Sequence, residues 1–127
     1  DGPSRRERLR SGMAAVRRHE ESLAGRFLAG SARIPRLRLY GLTDPARLGE
    51  RTPTFALSLE GVPPDEAAGR LGEQGIYTWS GDYYAVGVMD HLGVAEQGGL
   101  LRIGFVHYNT EEEVDRALGA LAGLVVG

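Results

Sequence analysis

Between Arg5 and about Ala29, the apolar residues Leu9, Met13, Val16, Leu23, Phe27 and Leu28 return at spacings near three and four. Arginine and glutamate fill the other faces, so the period predicts a long amphipathic helix that Gly30-Ser31 ends. In Ile34–Gly41, Leu37 and Leu39 alternate with Arg36 and Arg38, the period-two pattern of a short half-exposed strand. Leu42–Glu50, which contains Asp44-Pro45, reads as a turn-rich connection. Phe55, Leu57 and Leu59 share one face of a second strand, Thr54–Glu60, which Gly61 breaks.

Pro63-Pro64-Asp65-Glu66 then opens a helix, because proline suits a first turn and acids suit the positive end of the helix dipole. Ala67, Ala68 and Leu71 form its apolar stripe, and Gly75 is placed as a left-handed cap. Ile76–Trp79 is the third strand, running into a loop at Ser80–Tyr84 and a short helix with Val86, Val88, Met89 and Leu92. After Gly98-Gly99 the fourth strand covers Leu100–His107. Thr110, followed three residues later by Glu113, marks the start of a last helix with a core face of Val114, Leu118, Leu121 and Leu124 or Val125. This order predicts an α+β fold: a small mixed or antiparallel sheet of about four strands with helices packed on it, preceded by the long N-terminal helix.

Composition narrows the classes of function. The 127 residues fit one domain of ordinary size. With no cysteine, there is neither a disulfide framework nor a thiolate to act as nucleophile or metal ligand. His19, His91 and His107 are too scattered to suggest a metal cluster. No apolar run approaches the roughly 18 residues of a membrane span, and no secretory signal is present, so a cytoplasmic protein without a membrane partner is expected. All 15 basic residues are arginine. Twelve of them lie in residues 1–51 with six acids, leaving three with eleven acids in residues 52–127. A basic half invites a nucleic-acid reading. Yet no aromatic platform is interleaved with the arginines and no RNP-type motif accompanies them, so no nucleic-acid partner is expected. The chain opens Asp1-Gly2-Pro3 without methionine, which reads as the start of a fragment with residues missing upstream.

Candidate chemistry centres on Arg102, the single charge in a strand otherwise apolar or glycine. A guanidinium keeps its proton and its planar fork matches a carboxylate bidentately. The same pattern also fits an edge-strand arginine that snorkels to solvent or pairs with a surface acid. Trp79–Tyr84 is a second candidate, since a glycine among Ser, Asp and two Tyr after a strand end presents polar groups. His107-Tyr108-Asn109 follows the Arg102 strand and is positioned to line a site, although a buried histidine satisfied by backbone fits there too. Glu111–Glu113 with Asp115 reads as a solvated helix start, and Gly98-Gly99 is too generic for a phosphate loop.

Three segments stand in a familiar order: Arg51-Thr-Pro-Thr-Phe55, Gly75-Ile-Tyr-Thr-Trp-Ser-Gly-Asp-Tyr-Tyr-Ala85, and Leu101-Arg-Ile-Gly-Phe-Val-His-Tyr-Asn-Thr-Glu-Glu-Glu-Val-Asp-Arg116. From about Met13 to about Leu124 the chain resembles the C-terminal part of class V aminotransferases, specifically the cysteine-desulfurase-like proteins. The resemblance implies that residues 1–30 bridge from a missing large domain and that residues 31–127 form the C-terminal small domain. It implies pyridoxal phosphate in a homodimeric parent that acts on an amino-acid substrate, with none bound to this chain alone. Arg102 would bind the substrate carboxylate, with Tyr84, Ser80, His107 and Asn109 lining the pocket. Two departures bear on activity. Tyr84 stands where true desulfurases carry their cysteine, and a phenol cannot form a persulfide. The chain also has no lysine for the cofactor's Schiff base, so it would not be catalytic alone. A free-standing non-catalytic binding or interaction module is the alternative.

Overall fold

The computed structural model describes residues 2–125, so Asp1, in the segment expected to bridge, and Val126-Gly127, in the expected small domain, lie outside the described residues. Helix α1 runs Arg5–Ser31. Ser4 caps it, accepting from the Glu7 backbone at 3.3 Å while the Glu7 carboxylate accepts from the Ser4 N–H at 2.7 Å. Those bonds from Ser4 hold the Glu7 carboxyl below the usual range. The apolar stripe of α1 divides. Leu23, Phe27 and Leu28 are buried, whereas Leu9 and Met13 are 59% and 66% exposed, so the first turns stand clear of the core.

The sheet comprises β1 (Leu37–Tyr40), β2 (Thr54–Leu59), β3 (Trp79–Gly81) and β4 (Leu100–Gly104), in the order β1-β2-β4-β3 with every pair antiparallel. A 3-10 turn at Pro45–Glu50, started by Asp44, fills the predicted turn-rich connection. Helices α2 (Pro64–Gly72), α3 (Val86–Leu92) and α4 (Glu111–Val125) complete the α+β fold. The Thr110–Glu113 capping box is present, and Gly75 adopts the left-handed conformation three residues beyond α2, with φ +72°.

Alternation puts Phe55, Leu57, Leu101 and Ile103 on the face covered by α1 and α4, where Leu71, Val114 and Leu121 join them. At its centre the Phe27 ring lies 4.3 Å from Phe55 and 5.4 Å from Phe105, in tilted contacts of the kind aromatic pairs favour. Polar clamps tie the helices down outside this core. The Arg26 guanidinium of α1 donates to both Asp115 oxygens at 2.7 and 2.6 Å and to Glu111 at 2.8 Å, all on α4. Arg17 donates to the Gly49 carbonyl at 3.0 Å, and His19 Nε2 donates to the Asn109 carbonyl at 2.8 Å.

Three strands differ from the sequence reading by more than one residue at an end. β1 begins at Leu37 instead of Ile34, because Arg36 turns into the left-handed region at φ 61°. β3 pairs at Trp79–Gly81 instead of Ile76–Trp79, moving Ser80 and Gly81 from loop into strand. β4 ends at Gly104 instead of His107, since the Phe105 N–H turns to the Pro53 carbonyl and the Val106 N–H to the Asn109 side chain.

Candidate functional site

The sheet face turned away from α1 carries the candidate chemistry. Register aligns Tyr40 with Ala56, Ala56 with Arg102, and Arg102 with Trp79, one row across all four strands. A small second core covers part of this face: Met89 of α3, Val94 and Leu100, with Tyr40, Ala56, Tyr83 and Ala85 packed against them. Arg102 is exposed at its margin. Among the described residues it has neither an ion pair nor a side-chain hydrogen bond. Its guanidinium carbon instead lies 4.9 Å from the centre of the Tyr83 ring, a cation–π contact.

The loop that delivers Tyr83 is tightly specified. Tyr83 and Tyr84 both sit in the left-handed region, at φ 54° and 61°, which is costly for residues with a side chain. Asp82 offsets this cost by taking the Tyr84 N–H on its carboxylate at 2.9 Å and the Ala85 N–H on its carbonyl at 2.8 Å. The Tyr83 hydroxyl donates to the Leu100 carbonyl, tying the loop to β4. Burial pushes the Tyr83 phenol up to about 12, with Arg102 pulling the other way, so at neutral pH it remains a donor. Beneath the loop, Gly81 and Gly99 bring their backbones so close that a side chain on Gly99, at φ +86°, would run into the Gly81 carbonyl.

The sequence-derived candidates are only partly gathered. Ser80 pairs with Leu101, one position off the Arg102 row, and therefore belongs to the opposite face of the sheet. Tyr84 is fully exposed at the loop tip. His107 is exposed, its ring meeting Tyr108 edge-on at 5.4 Å. Asn109 is engaged in structure at both ends of its side chain: its oxygen accepts from the Val106 N–H at 2.8 Å and its amide donates to Glu113 at 3.0 Å. The residues found beside Arg102 are Trp79, across the strand pair and 61% exposed, and Tyr83, against its guanidinium. Both lie in the loop singled out from the sequence. Choosing them over Ser80 and Tyr84 requires the β3–β4 register, which decides the face each residue takes.

The site is an open surface. An apolar cleft of about 570 Å³ between α1 and β1, lined by Leu28, Leu37, Leu39 and Pro45 among others, contains none of the candidates. A second, of about 390 Å³, includes Asn109 with Tyr77, Tyr108 and Arg116 but not Arg102. Among the described residues no group of three or more His, Cys, Asp or Glu could hold a metal ion, and no helix is long and apolar enough to cross a membrane.

Comparison with known proteins agrees with this architecture. Residues 8–117 match the model of the family described as aminotransferase class-V. An uncharacterised protein of Mycobacterium tuberculosis is 31% identical over 121 residues, 95% of this chain and 29% of that protein. A probable cysteine desulfurase of Treponema pallidum is 32% identical over 85% of this chain and 25% of its own length. The apo structure of cysteine desulfurase from Thermococcus onnurineus superposes with a TM-score of 0.81 at 30% identity, covering 94% of this chain and 28% of that one. The chain belongs to the class-V aminotransferase family. It spans between a quarter and a third of the length of these relatives.

Proposed function

We propose that this chain is the C-terminal small domain of a pyridoxal-phosphate-dependent enzyme that transforms an amino acid, and that Arg102 binds the substrate's carboxylate. On this reading residues 1–30 bridge from the large domain, residues 31–127 form the small domain, and the parent is a cytoplasmic homodimer. The observation that carries the proposal is the state of Arg102. It is an exposed guanidinium with no acid paired to it among the described residues, on an open sheet face and within the family-matched segment. Its five N–H donors suit a bidentate carboxylate.

The residues here do not fit the cofactor itself. The chain has no lysine to form a Schiff base, so the cofactor belongs to the large domain and no step through it is assigned to this chain. The chain's own contribution is to hold and orient a carboxylate. On this reading Tyr84, at the position of the desulfurase cysteine and fully exposed at the loop tip, lines the substrate pocket together with Ser80, His107 and Asn109. A phenol forms no persulfide, so the parent's reaction is transamination, lysis or another amino-acid conversion instead of sulfur transfer by a cysteine.

The test is Arg102→Ala in the full-length enzyme. Removing a charge-assisted pair worth about 1.5–3 kcal/mol raises the KM for the amino acid roughly 10- to 100-fold. Kinetics equal to those of the parent would overturn the assignment.

A further inference from the structure

Arg102 lies in a shallow, exposed surface, where a long side chain samples many rotamers and loses that freedom when it binds. A carboxylate-binding arginine gains from being held in advance. Among the described residues no acid holds this one; the group against its guanidinium is the Tyr83 ring, 4.9 Å away. A contact through the ring face positions the cation without spending its N–H donors on a competing carboxylate, which an ion pair would do.

The placement of that ring is elaborate for a mere wall residue. Tyr83 adopts a left-handed backbone beside a second left-handed tyrosine. The Asp82 carboxylate and carbonyl stabilise the turn, and the Tyr83 hydroxyl is tied to the Leu100 carbonyl. Leu100 precedes Arg102 by two residues on the same strand and faces the same side of the sheet. The ring is thereby referenced to the strand that carries the arginine.

We infer that Tyr83 is a positioning residue, whose ring face pre-orients the Arg102 guanidinium for a substrate carboxylate. The inference rests on the proposed role of Arg102 and adds to it a named partner that tunes affinity for the carboxylate group.

The test uses the full-length holoenzyme with an amino-acid substrate and with the corresponding amine lacking the carboxylate. Tyr83→Leu raises the KM for the amino acid about three- to fivefold, leaves kcat within twofold, and leaves the amine unaffected. Tyr83→Phe, which keeps the ring face but loses the tie to the Leu100 carbonyl, recovers most of that loss. In an Arg102→Met background, Tyr83→Leu has no further effect on KM. Should Tyr83→Leu not fold, phenylalanine and trifluorophenylalanine at position 83 decide the matter. They match closely in shape, and only the fluorinated ring, with its face depleted of electrons, raises the KM. Equal KM values for those two rings, or equal losses for amino acid and amine, would overturn the inference. If Arg102→Met alone leaves the KM unchanged, the carboxylate reading itself fails; if it raises the KM while the position-83 variants do not, only the role of Tyr83 fails.

Discussion

Arg26 on α1 grips both carboxylate oxygens of Asp115 on α4, 89 residues away in sequence. Its remaining nitrogen, Nη1, reaches Glu111 one turn earlier. Isolated surface pairs contribute little, but a bidentate pair joined to a second acid is the arrangement in which such charges do contribute. The bond from Arg26 holds the Asp115 carboxyl below its usual range. A depressed carboxyl gives stability that is present above its unfolded value, near pH 4, and is lost as pH falls through the lower folded value. Denaturant midpoints should therefore be lower for Arg26→Gln than for the parent at pH 7, and the gap should close below about pH 4. Added salt should narrow the gap at pH 7. A gap independent of both pH and salt would assign the effect of Arg26 to packing.

Phe27 is fully buried between Phe55 and Phe105, joining α1 to β2 and to the chain just after β4. Phe27→Ala should cost about 3–5 kcal/mol in equilibrium unfolding. Phe27→Leu should cost markedly less, because it leaves a smaller cavity. Similar losses for the two would show that the site collapses around either change.

Gly99 is a position where backbone conformation and space both demand glycine. Gly99→Ala adds left-handed strain and a collision with the Gly81 carbonyl, so it should destabilise by about 2 kcal/mol or more. Since the collision falls at the base of the Tyr83 loop, amide exchange at Asp82–Ala85 should accelerate more than exchange in α4. A uniform change across the chain would show that the loop is not selectively loosened.

The Tyr83 phenol, raised by burial to about 12, gives an alkaline signature. In the unfolded chain it ionises near pH 10. Its neutral form therefore stabilises the fold below that value, and the contribution declines as pH rises through 10 toward 12. Absorbance titration should show one of the five tyrosines ionising late, and Tyr83→Phe should remove that late step. Its persistence in the variant would assign it to another tyrosine.

How far the sequence reading reached depended on whether a feature is local. The long helix, the capping box at Thr110 and Glu113, and the apolar faces of β2 and α4 are written in spacing over a few residues, and all are present. The bounds of β3 and β4 were not legible. Ile76-Tyr77 has strand-forming residues, yet pairing begins only at Trp79, where the chain meets Arg102. That is a matter of tertiary register and not of propensity. The same register separates Ser80 from Arg102. Arg102 itself stood out because a lone charge in an apolar strand is a local anomaly. Its contact with Tyr83 depends on a turn of two left-handed tyrosines, a conformation that tyrosine's intrinsic preferences do not favour.

The free first turns of α1 carry a mechanical consequence. The whole helix is about 40 Å long, and its exposed stretch from Arg5 to Ala15 accounts for about 16 Å of that. At the other end Arg26, Phe27 and the His19 contact fasten it to α4, the core and the turn before α4. The element is a lever with a fixed fulcrum. A tilt of about 10° about the His19 contact swings the free tip, about 21 Å away, by roughly 4 Å.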